Sequence, residues 1–369
     1  MGDAAETPLS GASKPVEQDN GKPTLLLVLS TVRADDNTPE WRAVLSRFNV
    51  LHYDCASVEE FCARLQPGGA YSHIDAILRT GWLKAGPFAQ HVLFRGPPVA
   101  LFPPSLRFIA CTGHGYDAAD IDALSARGIG YSNTPDTCTE AVANTGLALI
   151  LNVYRHFTLA EHLTRQGRWD DSRRVGEIAV DPCGQVLGVV GLGDIGLAVA
   201  RKAALALDMK IHYHNRRRRP ELEARLPDGA TFHAGVESLL EAADCVFLAC
   251  PLTPETRHLI SAERLAKLAH KKIRIVNIAR GGLIDEDALL DAMDRGQVVG
   301  VGLDVHANEP GINPRLVVNH NVTVLPHIGV ASHTSWKRFD EVNLRNLLEF
   351  FFGDKNKVTL VNRGALEGI

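Results

Sequence analysis

A strand, a tight glycine turn and a helix N-terminus follow one another between Val186 and Leu205, in the middle of the chain. The run V-L-G-V-V-G-L-G-D-I-G, Val186 to Gly196, is an apolar β-branched stretch that ends on Gly191, Gly193 and Gly196. The glycines have separate tasks. Gly191 permits the turn, Gly193 lets a pyrophosphate approach the backbone, and Gly196 lets helix and strand pack closely. The free N–H groups of Asp194, Ile195 and their neighbours then face the phosphates at the positive end of the helix dipole. A dinucleotide site is the expectation, and its mid-chain place leaves sequence on both sides for a second domain.

The 369 residues suffice for two domains of ordinary size. A hydrophobic content of 45% and a charged content of 22% describe an ordinary globular protein. A net charge of −4 gives no reason to expect nucleic acid as a partner. No apolar run is long enough to span a membrane. Residues 1–22 are polar, lack an apolar core and read as a flexible tail, not a secretory signal. Seven scattered cysteines show no metal-type spacing, so reduced thiols, a cytoplasmic location and no metal are expected.

In the N-terminal part, strands are expected at Thr24–Ser30, Asn49–Tyr53, Ile74–Leu78 and Leu106–Cys111, with a short one from Tyr131. Helices are expected at Glu40–Arg47 and, opened by a Ser57/Glu60 capping box, up to Leu65. Glu140–His156 reads as one long apolar helix. Beyond the glycine turn the alternation is clean. Strands are expected at Lys210–His214, Cys245–Cys250, Arg274–Ile278, Val298–Asp304 and Val322–Leu325, with helical patterns between them, and a last helix at Thr334–Phe351. The fold class is α/β, two Rossmann-like or flavodoxin-like parallel-sheet domains with a cleft between them. The dinucleotide domain, residues 151–330, is nested inside a substrate domain of residues 23–150 plus 331–369.

Five stretches in order resemble the D-isomer-specific 2-hydroxyacid dehydrogenases: G-H-G-Y-D from Gly113, G-L-G-D-I-G from Gly191, V-N-I-A-R-G-G-L-I-D from Val276, G-L-D-V-H-A-N-E-P from Gly302 and L-P-H-I-G from Leu325. The glycine turn, the H-N-R-R-R-R segment and the C-terminal helix are similar to the fungal D-mandelate dehydrogenase-like branch. The resemblance implies reduction of a 2-oxo acid by a nicotinamide cofactor, or the reverse oxidation, in a protein expected to be a homodimer.

Such a reaction needs a cation for the carboxylate and a proton for the carbonyl oxygen. Arg280, after a strand, has the planar fork that grips carboxylate and carbonyl together. His327, just past a strand end, is the natural acid/base. By the resemblance Glu309, eighteen residues earlier, bonds its imidazole and favours the protonated form. Gly113, His114 and Gly115 resemble the family's backbone-donor loop for the substrate carboxylate, against the plain alternative of a glycine turn. Gly81, Trp82 and Leu83 fall where the family places its other substrate loop, and Trp82 either walls an apolar pocket or simply packs. Cys250, Pro251, Ala279, Asp304 and Gly329 match positions lining the nicotinamide site.

The ribose-reading position lies about 20 residues past the glycine turn. Asn215, nineteen residues after Gly196, stands where an NAD-specific site carries Asp or Glu. Arg216 and Arg217 follow and can bind a 2′-phosphate, so NADP(H) is expected, with NAD(H) as the alternative. Three residues depart from the pattern. Asp194 reads as a helix cap, Asn144 replaces an acidic residue, and His306 replaces an aromatic one and is either a pocket-edge residue or core. An aromatic or branched 2-oxo acid (phenylglyoxylate, 2-oxoisocaproate) is the expected substrate. Glyoxylate or hydroxypyruvate is the alternative, and a nicotinamide-sensing co-repressor-like binding protein is the alternative of another class.

Overall fold

The computed structural model describes residues 21–29, 38–80 and 91–366. They pack as two compact units, one formed by the chain up to Thr134 and from Lys337 onward, the other by Pro135–Trp336. Most of the expected tail, and the whole of Gly81-Trp82-Leu83, lie outside the described residues.

The first unit is a five-stranded sheet of β1 (Thr24–Leu29), β2 (Asn49–His52), β3 (Ala76–Thr80), β4 (Phe108–Cys111) and β5 (Gly130–Ser132). The order is β2-β1-β3-β4-β5 and every pair is parallel, the flavodoxin-like arrangement. β1 is buried along almost its whole length, as a central strand covered on both faces must be. Ser57 caps the helix Val58–Leu65 by accepting from the Glu60 N–H, while the Glu60 carboxylate takes the N–H of Ala56. The returning helix, His333–Phe352, stacks Phe350 on Phe108 at 4.2 Å between ring centroids.

The second unit has seven parallel strands: β6 (Val186–Val190), β7 (Lys210–His214), β8 (Thr231–His233), β9 (Cys245–Leu248), β10 (Ile273–Asn277), β11 (Val298–Leu303) and β12 (Val322–Val324). Their order is β12-β11-β10-β9-β6-β7-β8, so the chain reverses direction across the sheet between β6 and β9. That is the doubly wound dinucleotide-binding topology. β8, a Thr-Phe-His segment that is largely unburied at the sheet's edge, escapes the sequence reading because it shows no apolar run.

The helix Thr139–Arg155 buries Val142, Ala143, Gly146, Leu149, Ile150, Val153 and Tyr154, one stripe at helical spacing. It packs on the second unit. A Cβ at Gly300 would lie 2.6 Å from the Val153 carbonyl oxygen, one at Gly302 3.1 Å from Leu149 Cβ, and one at Gly146 2.9 Å from the Phe247 ring. This contact places the first passage between units before the helix, at Thr134/Pro135, where a boundary after residue 150 was expected. The second falls at Trp336/Lys337, near the expected residue 330.

At the sheet's edge, His212 Nδ1 and His233 Nε2 share a hydrogen bond of 3.0 Å between β7 and β8, and His233 Nδ1 meets Ser238 Oγ at 3.1 Å. Burial pushes the pKa of both imidazoles below the usual histidine value; His233 and Lys210 lower His212 further, and His214 lowers His233 further. The unfolded chain therefore binds protons more readily than the fold, and stability falls as pH drops through and below the ordinary histidine range. Thermal unfolding between pH 8 and 5 should show a falling midpoint, and His212→Gln should flatten that dependence.

Candidate active site

Val190, His214, Leu248, Asn277, Leu303 and Val324 are register partners in one row across the second sheet. Parallel strands that end in one row release their following residues along one edge. The glycine turn, Asn215, Cys250, Ala279-Arg280, Asp304, Glu309 and His327 all leave from that edge, where ligands bind in open α/β sheets.

The three glycines differ in their surroundings. Gly191 has φ of 100°, and a Cβ there would come within 2.8 Å of the Ala249 and Cys250 backbone. A Cβ on Gly196 would lie 2.1 Å from the Gly191 carbonyl oxygen. A Cβ on Gly193 would meet nothing within 4 Å, so the space a phosphate needs is present there. Gly193 is the N-cap of the helix Asp194–Leu207 and makes no side-chain cap. Asp194 is thus the first helical residue, exposed, and not the cap that the sequence suggested. It still suits the positive end of the helix dipole. Half-buried Ile195 follows it.

Asn215 is committed on both sides of its amide. Its Oδ1 accepts from Leu192 N at 2.8 Å and its Nδ2 donates to Leu192 O at 3.3 Å, so it ties the end of β7 to the glycine turn. Of the four arginines that follow, Arg218 donates two hydrogen bonds to the two Glu223 carboxylate oxygens and Arg219 pairs with Glu221. Arg216 and Arg217 are exposed and make no hydrogen bond or ion pair among the described residues.

The loops after β10, β11 and β12 interlock. Fully buried Asn277 donates from Nδ2 to the Arg280 carbonyl at 2.9 Å and accepts from Ala279 N at 3.0 Å, which fixes the turn carrying Arg280. Arg280 itself is extended, and its guanidinium donates to Ala279 O at 2.7 Å. Asp304, buried, accepts from Ile328 N at 2.7 Å and Gly329 N at 2.8 Å, so it holds the segment just after His327. Burial raises the Asp304 pKa, and those two N–H groups oppose the rise. His327 Nδ1 lies 3.0 and 2.9 Å from the two Glu309 oxygens. A carboxylate only accepts, so Nδ1 carries a proton and Nε2 is the ring's remaining nitrogen. Nε2 has no partner among the described residues. His327 has φ of 57°, the left-handed region that a non-glycine residue enters at a cost.

In the first unit Gly113 has φ of 117°, and its N–H donates to Thr134 Oγ1 at 2.9 Å. Of the three donors expected in that loop, Gly113 is therefore already engaged. Exposed His114 and Gly115 keep theirs uncommitted among the described residues, and the His114 carbonyl accepts from Asn133. Sequence reasoning missed Asn277 and Thr134. A polar residue ending an otherwise apolar strand was the available signal for Asn277; nothing local marks Thr134.

Residues 147–329 match the family model described as D-isomer specific 2-hydroxyacid dehydrogenase, NAD binding domain. The glyoxylate reductase of Thermococcus kodakarensis is 41% identical over 271 residues, 72% of this chain and 79% of that protein. The 4-methyl-2-oxopentanoate reductase A of Aspergillus oryzae is 36% identical over 311 residues, 84% of this chain and 89% of that one. The crystal structure of apo D-mandelate dehydrogenase from Rhodotorula graminis superposes with a TM-score of 0.84 at 30% identity, covering 92% of this chain and 98% of that one.

The turn carrying Arg280 touches the Glu309 loop through Gly281. A Cβ there would sit 2.0 Å from the His306 carbonyl carbon. Backbone cannot yield as a side chain does, so Gly281→Ala should destabilise the second unit by about 1–3 kcal/mol or more. Thermal unfolding compared with Gly282→Ala, whose nearest neighbour is a leucine side chain at 3.0 Å, would isolate this effect.

Proposed function

The chain belongs to the D-isomer-specific 2-hydroxyacid dehydrogenases, and from that premise we propose that it reduces a bulky 2-oxo acid with NADPH, His327 serving as acid/base. The enzyme class, an oxidoreductase acting on 2-hydroxy acids with a nicotinamide cofactor, follows from the family. The residue roles rest on one observation above all, the His327 Nδ1–Glu309 pair at the C-terminal edge of the sheet.

Glu309 fixes the ring by accepting from Nδ1–H, so Nε2 is the atom that exchanges a proton with the substrate oxygen. It donates during reduction and accepts during oxidation. Arg280 is the cation of the site. Its fork suits a carboxylate beside a carbonyl, and its turn is held by Asn277. A bound nicotinamide supplies the hydride. The open space at Gly193 fits its pyrophosphate, with Gly191, Gly193, Asp194, Ile195 and Gly196 around it. Cys250, Pro251, Ala279, Asp304 and Gly329 line the nicotinamide end. Seven free thiols support a cytoplasmic location, and among the described residues no helix is long and apolar enough to cross a membrane. Exposed Phe157, Trp169, Ile178 and Val180 in one segment of the second unit support a homodimer.

The preference for NADPH rests on Arg216 and Arg217, which no carboxylate has claimed. Asn215 adds no charge against a phosphate, and its amide is needed for the Leu192 tie, which Asp could not complete. Substituting both arginines by alanine should raise KM for NADPH roughly ten- to a hundred-fold, the worth of one or two hydrogen bonds to a charged group. KM for NADH should stay put; an equal rise for both would remove the phosphate reading.

For the substrate, the wide coverage of the 4-methyl-2-oxopentanoate reductase and of the D-mandelate dehydrogenase structure supports a branched or aromatic side chain. A glyoxylate reductase structure of equally wide coverage, and the more identical but shorter match to another glyoxylate reductase, support glyoxylate or hydroxypyruvate instead. A panel of 2-oxo acids decides it: 4-methyl-2-oxopentanoate and phenylglyoxylate should exceed glyoxylate in kcat/KM. In the same assay His327→Ala should lower kcat about 10²–10⁴-fold with cofactor binding retained.

A further inference from the structure

His306, in the L-D-V-H-A-N-E-P stretch, has no part in the proposed mechanism. It is 5% exposed and touches the segments bearing all three proposed catalytic side chains. Its backbone N–H donates to Glu309 Oε1 at 3.1 Å. Its ring Nε2 meets the Leu325 carbonyl oxygen at 2.8 Å, two residues before His327. Its own carbonyl faces Gly281, next to Arg280, so closely that a Cβ on that glycine would lie 2.2 Å from the oxygen.

A carbonyl only accepts, so Nε2 carries the proton, and the neutral ring offers a bare lone pair at Nδ1. That Nδ1 is buried and finds no partner among the described residues. A buried polar atom left unmade costs at least as much as one ordinary hydrogen bond returns. A phenyl ring would fill the same space without that loss. The imidazole therefore does not earn its place through stability; what it provides is a fixed distance between two loops.

We propose that His306 is a positioning residue for the reaction. Its main-chain N–H aims the Glu309 carboxylate while its ring, through Leu325, sets the height of the strand end that presents His327. Leu325 N is also bonded to Leu303 O at 2.8 Å, so the ring acts on a segment anchored on one side and adjustable on the other. The inference rests on the Glu309–His327 pair being the acid/base of the enzyme.

The test compares His306→Phe, His306→Gln, Glu309→Gln, the Glu309→Gln/His306→Phe double variant and His327→Ala in the full-length enzyme. His306→Phe keeps the ring's bulk and loses its donor. It should lower kcat about ten- to a hundred-fold, as small misplacements of reacting groups do. NADPH binding, read by fluorescence titration, and the melting temperature should hold or improve. His306→Gln, which retains a donor, should recover most of kcat. In the Glu309→Gln background His306→Phe should cost little more, because both act on one unit. Full kcat in His306→Phe beside an inactive His327→Ala would overturn the role of His306 alone. A loss of kcat that tracks lost stability, with Gln no better than Phe, would overturn it too. An active His327→Ala would instead remove the reading on which the inference rests.

Discussion

Everything in the second unit depends on the alignment of one row of backbone hydrogen-bonding partners. Six parallel strands finish level with one another, from Val190 to Val324. Parallel pairing has no freedom to stagger once both faces are buried, because a one-residue slip would turn every side chain to the wrong face. β6, β9 and β11 are apolar on both sides, and β9 and β10 are buried throughout. Burial fixes register, and register delivers residues almost 140 positions apart in sequence, from Gly191 to His327, to one edge.

Loops leaving such an edge are normally the loosest part of a fold. In this chain they are tied to one another by main-chain contacts that only glycine allows and by side chains that bond backbone. Gly191 rests on Ala249 and Cys250, and Gly281 on His306. Asn215 binds Leu192, Asn277 binds the Arg280 turn, and Asp304 binds the two residues after His327. The side chains of the proposed site, Arg280, Glu309 and His327, stand on a scaffold of neighbours to which no chemical step is assigned. That division suits catalysis, which needs reacting groups held to fractions of an ångström.

Much of this was legible in the sequence, and the reasons differ by residue. The glycine turn carries its structure in its spacing, so the tight turn at Gly191 and the close packing at Gly196 were legible before the fold was seen. Glu309 and His327 were linked by motif, and their side chains stand in carboxylate–imidazole contact. The helix Thr139–Arg155 was legible as a helix but not as part of the second unit, since an apolar stripe does not name the sheet it covers. Gly300 and Gly302 inside β11 were the clue, because glycines within a strand mark a close neighbour. The commitment of Gly113 to Thr134, and of Asn215 to Leu192, depends on residues 21 and 23 positions away. No local pattern encodes such partners.

Under the proposed role of His327, its left-handed backbone sets stability and activity against each other at one position. Glycine would sit there without strain, and the fold would gain from the exchange. A campaign that selects only for heat tolerance would therefore find residue 327 early and favour discarding the histidine. Under the proposed acid/base role, an imidazole is held at this position for turnover at the expense of robustness.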